Sequence, residues 1–136
     1  MSSKLFALSV KVVIRDGVGR CLVLRRSGKS KANPGKWDFP GGKAEMGEKF
    51  DHALLREVRE ETALKITLLR VAGAAESETS SRKIVCLIME GKLKGGKVRL
   101  SDEHDEYAWV KLRDLGKVDL APQFKPFAKE YIRRKL

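Results

Sequence analysis

The chain has 136 residues, 42% of them hydrophobic, and 29 Lys and Arg against 18 Asp and Glu give a formal net charge of +11. That hydrophobic fraction excludes an intrinsically disordered chain, and the length predicts a single domain over residues 1–136. No apolar run reaches the ~18 residues of a membrane-spanning helix and no signal-peptide pattern precedes Leu5, so a cytoplasmic protein with no membrane partner is expected.

The positive excess favours polyanionic partners, nucleotides or nucleic acid, through steering and counterion release. Cys21 and Cys86 stand in apolar runs (RCLVL, IVCLIM) with no CxxC or Cys/His cluster. They read as buried small hydrophobes, and neither zinc nor redox chemistry is expected.

In chain order, residues 5–14 (LFALSVKVVI) and 21–24 (CLVL) are apolar and β-branched about an Asp-Gly-Val-Gly turn, which predicts two antiparallel strands. Residues 25–36 (RRSGKSKANPGK) read as a polar loop, and Trp37-Asp38-Phe39 as a short extended piece before Pro40. Gly41-Gly42 permits a close backbone approach. A helix is predicted over residues 50–62, with Phe50, Leu54 and Val58 as its apolar stripe and the glutamates turned toward a cleft. Strands follow at 66–71, 84–93 and 107–110, with a polar loop at 76–82 and a turn at 94–97. Residues 124–136 predict an amphipathic helix with Phe127 and Tyr131 inward. The sum is an α+β domain, a mixed sheet flanked by two helices.

The acids of the first helix carry the chemistry. Positions three and four apart share a helix face, so Glu57, Glu60 and Glu61 are expected to project together. Two carboxylates about 4 Å apart repel by roughly 4 kcal/mol at an effective dielectric of ~20, and such a group calls for a cation. All-oxygen donors suit Mg²⁺ or Mn²⁺. Gly42, Glu48, Arg56-Glu57-Val58, Glu60-Glu61 and Leu64 fall at fixed offsets within one window.

This spacing resembles the Nudix box. The resemblance implies the Nudix α/β/α sandwich and hydrolysis of nucleoside diphosphates linked to another group. It implies Mg²⁺ held by Glu57, Glu60, Glu61 and the Gly41 carbonyl, with Arg56 orienting a box glutamate, Glu48, and Gly42 serving the turn. One position departs: Ala63 stands where the family usually has glycine, so a differently built helix end is expected.

In SDEHDEYAWV, Glu103 lies six residues before Trp109, where MutT-like relatives place a further metal ligand or base. Glu60, Arg56 and Glu103 are thus the catalytic candidates. His104 and His52 read as exposed. Arg25 and Lys43 are expected at the phosphates, Lys36 as a surface charge, and Phe39 or Trp37 stacked on a base. Trp109 reads as core, and Gln123 is a loose counterpart of the Asn with which guanine readers contact the base. The marks of the ADP-ribose and diadenosine polyphosphate groups are absent, since Thr79 to Arg82 occupy those positions. What remains resembles the MutT-like (deoxy)nucleoside triphosphate pyrophosphohydrolases, with 8-oxo-dGTP among the expected substrates. The alternatives are an RNA 5′-triphosphate pyrophosphohydrolase, a hydrolase of another nucleoside diphosphate-linked substrate, and a non-catalytic nucleotide sensor.

Overall fold

The computed structural model describes residues 4–136, so residues 1–3 of the expected domain lie outside the described residues. Its elements are β1 (Leu5–Arg15), β2 (Arg20–Arg26), β3 (Trp37–Asp38), β4 (Gly41–Lys43), α1 (Phe50–Thr62), β5 (Lys65–Glu78), β6 (Arg82–Gly95), β7 (His104–Lys111) and α2 (Lys125–Lys135). Two short 3₁₀ turns, Leu112–Lys117 and Pro122–Phe124, lead into α2.

The seven strands form one mixed sheet in which β1 runs parallel to β6 along its full length, from Leu5 opposite Arg82 to Arg15 opposite Lys92. The expected β1–β2 hairpin is present, but its strands register at Arg15 and Cys21, because β4 takes the same edge of β1 at Ser9, Val10 and Lys11. The β5–β6 ribbon extends well past the expected strands. Glu78 pairs with Lys83, so most of the polar stretch 76–82 is strand closed by a tight turn (Thr79 N–H to the Arg82 carbonyl, 2.8 Å). Polar composition signalled solvent exposure there rather than a loop.

Alternation along the strands sorts the core into two layers. Val10, Val12, Ile14, Leu22 and Leu24 face α1 and meet its Ala53, Leu54 and Val58. Val13, Cys21, Val23, Cys86 and Ile88 face the other way, against Phe124, Phe127, Ala128 and Tyr131. The result is the expected α/β/α sandwich. Phe127 and Tyr131 point inward as predicted, and the Tyr131 hydroxyl donates to the buried Glu90 carboxylate at 2.7 Å, which ties α2 to the sheet. Phe50, the expected first residue of the α1 stripe, is exposed.

Candidate active site

The site is set by how closely β4 lies against β1 and α1. Gly41 has φ +137°, and a Cβ there would fall 2.0 Å from the Val10 carbonyl oxygen. A Cβ on Gly42 would sit 2.8 Å from the carboxyl carbon of Glu57. The two glycines therefore let the strand pass with a helix carboxylate resting on it.

Along α1, Glu57 and Glu61 line a cleft of about 900 Å³, whereas Glu60 does not. At roughly 100° per residue, Glu60 and Glu61 turn to opposite sides of Glu57. The three glutamates share one helix face within about 100°, but of them only Glu57 and Glu61 reach the cleft lining: Glu60 is 57% exposed and shares Arg56 Nη1 with Glu57, at 3.3 Å and 3.2 Å. Glu61 is buried, and its Oε1 accepts the Gly41 N–H at 2.7 Å. Burial, with Asp38 and Glu103 beside it, pushes its carboxyl up to about 8 against the opposing pull of Lys11 and the Gly41 bond. Burial also raises Glu57, aided by Glu60 and Glu103.

Arg56 grips Glu48 through Nε and Nη2, each at 2.8 Å, and reaches Glu57 at 3.2 Å. This is the expected pairing, and the Arg56 hydrogen bonds hold the Glu48 carboxyl at about 2. At the helix end, Ala63 takes φ 63° and ψ 11°, the left-handed conformation of the family's glycine, with its N–H on the Arg59 carbonyl. The cap is therefore conserved in shape, contrary to the expected rebuilding.

Sequence reasoning missed the polar centre beneath the cleft. Asp38 is buried and accepts from Arg26 Nη1 at 2.9 Å, from His104 Nε2 at 3.1 Å and from Lys11 Nζ at 3.5 Å. Burial alone would raise its carboxyl, but Lys11, His104 and Arg26 hold it at about 2. Lys11 is itself buried; desolvation works against its charge, and Asp38 and Glu61 more than restore it. His104 is buried, not exposed as expected, because it opens β7 opposite Arg26. An acid inside Trp-Asp-Phe and a lysine inside an apolar strand were the available signals.

Other expectations divide. Lys43, Gln123 and Glu103 line the cleft. Phe39 does not stack on a ligand: it is fully buried, edge-on to Phe124 and Phe127 at 5.7 Å each. Arg25 is held by Asp105 at 2.8 Å and Glu106 at 2.9 Å, off the cleft lining, and Arg26, beyond a bulge in the β2–β7 pairing, lines it instead. Lys36 pairs with Asp119 at 3.0 Å on the surface, and His52 is exposed, both as expected. Trp109 packs partly buried on the α1-side core and Trp37 on the other. Both cysteines are buried thiols raised to about 11 by desolvation.

The donor set fits a divalent cation. Ligand atoms of Glu61, Glu103 and His104 lie within 4.8 Å of one another. The buried His104 Nδ1 has no hydrogen-bond partner and faces Glu61 Oε2 at 3.9 Å. Carboxylates raised by crowding and burial are groups that a cation would return to the ionised form.

A family model of the NUDIX domain matches residues 5–135. A MutT-like protein of Streptomyces ambofaciens is 34% identical over 109 residues, which span 80% of this chain and 66%, just under two thirds, of that relative. The nucleoside triphosphatase NudI of Escherichia coli is 32% identical over 98 residues, 64% of this chain and 70% of that protein. The crystal structure of a MutT protein from Methanosarcina mazei Go1 superposes with a TM-score of 0.90 at 36% identity over 98% of both chains. Box, sandwich and relatives agree: the chain belongs to the Nudix hydrolase family, as a MutT-like member.

Proposed function

We propose that the protein hydrolyses (deoxy)nucleoside triphosphates to monophosphate and pyrophosphate with Mg²⁺. The observation that carries this reading is the convergence of Glu57, Glu61 and Glu103 on one cleft at the Gly41-Gly42 turn, with Arg26, Lys29, Lys31 and Lys43 on the same lining. The names of the relatives, a nucleoside triphosphatase and MutT proteins, support it.

Nudix hydrolases use divalent metal ions, and when bound such an ion neutralises phosphate oxygens and acidifies water. Glu57, Glu61, Glu103 and the Gly41 carbonyl are the groups proposed to hold it. Glu60, also expected as a ligand, is exposed and paired with Arg56 beside this group. The Arg56–Glu48 pair fixes the Glu57 side of the site, an orienting role. The cationic lining binds the phosphate chain and orients it for attack. Glu103, on the loop before β7 and on the cleft lining, is the group proposed to take the proton of the attacking water.

The test is pyrophosphate release with Mg²⁺ across normal and oxidised (d)NTPs, ADP-ribose and 5′-triphosphorylated RNA. Release from free triphosphates is expected. Activity confined to RNA would move the +11 charge into the mechanism and displace this reading.

A further inference from the structure

Part of the positive excess collects at one end of the sheet, off the cleft lining. Residues 62–75 and 91–101 hold Lys65, Arg70, Lys92, Lys94, Lys97 and Arg99 and no Asp or Glu. β5 begins and β6 ends there, with Lys65 opposite Gly95, and β1 ends beside them with Arg15 in register with Lys92. Gly96, at φ +99°, turns the chain against the end of α1, and the Arg99 N–H then donates to the Thr62 carbonyl at 2.9 Å. Val98 and Leu100 pack on the α1-side core, which leaves Lys97 and Arg99 exposed.

Pairing within the fold does not account for these charges. Glu90, two residues before Lys92 on the same face, is buried and already held by Arg70, Lys135 and the Tyr131 hydroxyl. Asp16, at the β1–β2 turn, is held by Arg20 at 2.7 Å. Lys65, Lys92, Lys94, Lys97 and Arg99 make no ion pair among the described residues. Arg15 reaches only the Tyr131 hydroxyl at 3.3 Å and the Gly19 carbonyl at 3.4 Å, and its buried Nε has no partner. Like charges side by side on a sheet, as Arg15 and Lys92 are, cost stability unless an anion joins them. The C-terminus of α1 carries about half a negative charge, enough to offset one of these cations at most.

The form of the surface narrows the partner. The exposed aromatic rings of Phe6, Phe50 and Tyr107 lie outside it, so the base stacking that holds single strands is missing. What remains is attraction to phosphates, and a duplex presents one charge per ~1.7 Å of its axis. Leu93 packs on the α1-side core, which puts Lys92 and Lys94 on the other face of the sheet, while Lys97 and Arg99 stand beside α1. Cations on both faces of one sheet end suit a groove flanked by two phosphate rows better than a flat lipid surface.

We infer that this end of the sheet binds the phosphate backbone of double-stranded nucleic acid without reading its sequence. The surface is separate from the cleft, and the inference goes beyond the proposed hydrolysis.

The test is fluorescence anisotropy of a labelled duplex of about 20 base pairs, and of its single strand, over a range of salt. Wild type is compared with K94Q/K97Q and with K125Q/K129Q, which removes the same charge from α2. Wild type should bind the duplex with a micromolar Kd at ~0.15 M salt, log K falling against log salt with a slope of about −4. K94Q/K97Q should reduce the steepness by about 2 and weaken binding about 10- to 30-fold on every sequence, while K125Q/K129Q stays within about twofold of wild type. No salt-dependent duplex binding, or an equal loss in both double variants, overturns the inference. So does tighter binding of the single strand, which would mean contact with bases, or binding to anionic vesicles alone. Displacement of the duplex by an α,β-methylene nucleoside triphosphate would place it in the cleft and overturn the inference too. Duplex binding by a protein that hydrolyses no triphosphate would sink the hydrolytic reading and uphold this one.

Discussion

His104 Nε2 lies 3.1 Å from Asp38 Oδ1, both side chains buried, and this contact joins the start of β7 to the end of β3 beneath the cleft. An ionised Asp38 only accepts, so Nε2 carries the hydrogen of this bond, while Nδ1 faces Glu61 Oε2 at 3.9 Å. The polar centre thus couples a carboxylate held low to a carboxyl held high through one imidazole.

Removing the anion from that centre should be severe. Asp38→Asn leaves Lys11 and Arg26 facing an amide, at an expected cost of about 3–5 kcal/mol in denaturant unfolding. A depressed carboxyl stabilises the fold above its ordinary value and loses that contribution as pH falls. The wild-type acid limb should therefore steepen between the ordinary 3.8 and about 2, and the variant should lack that part of it.

Glu61 has the opposite sign. Its carboxyl is raised from 4.5 to about 8, so the stability linked to its proton is full below the lower value and is lost as pH rises through the higher one. Metal-free protein should lose stability over that window. Divalent ions should bind more tightly as pH rises toward about 8 and release close to one proton near neutrality. Calorimetry in buffers of different ionisation heat reads this directly, and Glu61→Gln should abolish the proton release.

Gly42→Ala separates site from fold. The new Cβ meets the carboxylate tip of Glu57, a flexible end that can move aside. Stability should change by less than about 0.5 kcal/mol, while turnover falls by roughly 100-fold as the carboxylate is displaced. Unfolding curves and steady-state rates on the same preparation check both.

Ala63→Gly should stabilise the protein by about 1 kcal/mol, since a left-handed Cβ is strained and glycine is not. Urea titration measures the gain, and a loss would mean that the helix end is held by contacts of the methyl group.

The box and the helix that carries it were legible because periodicity, glycine pair and spacing are local. α1 was expected over residues 50–62 and spans Phe50–Thr62. What escaped depends on long-range pairing. The parallel β1–β6 alignment brings Lys11 to the site, and the bulge beside Arg25 hands the cleft to Arg26. Phe39 looked like a stacking ring beside a glycine turn, yet the aromatic cluster of Phe124 and Phe127 claims it, and those residues lie far along the chain. His104 looked exposed in an acidic loop because nothing local shows that β7 starts there.

The decisive measurement is the product balance of a free nucleoside triphosphate incubated with Mg²⁺ and either wild type or Glu57→Gln. One pyrophosphate per monophosphate from wild type, and a fall of orders of magnitude in Glu57→Gln with its melting curve unchanged, is the expected result. Release of orthophosphate and a diphosphate, or full activity in Glu57→Gln, would contradict the proposed cleavage at this cleft.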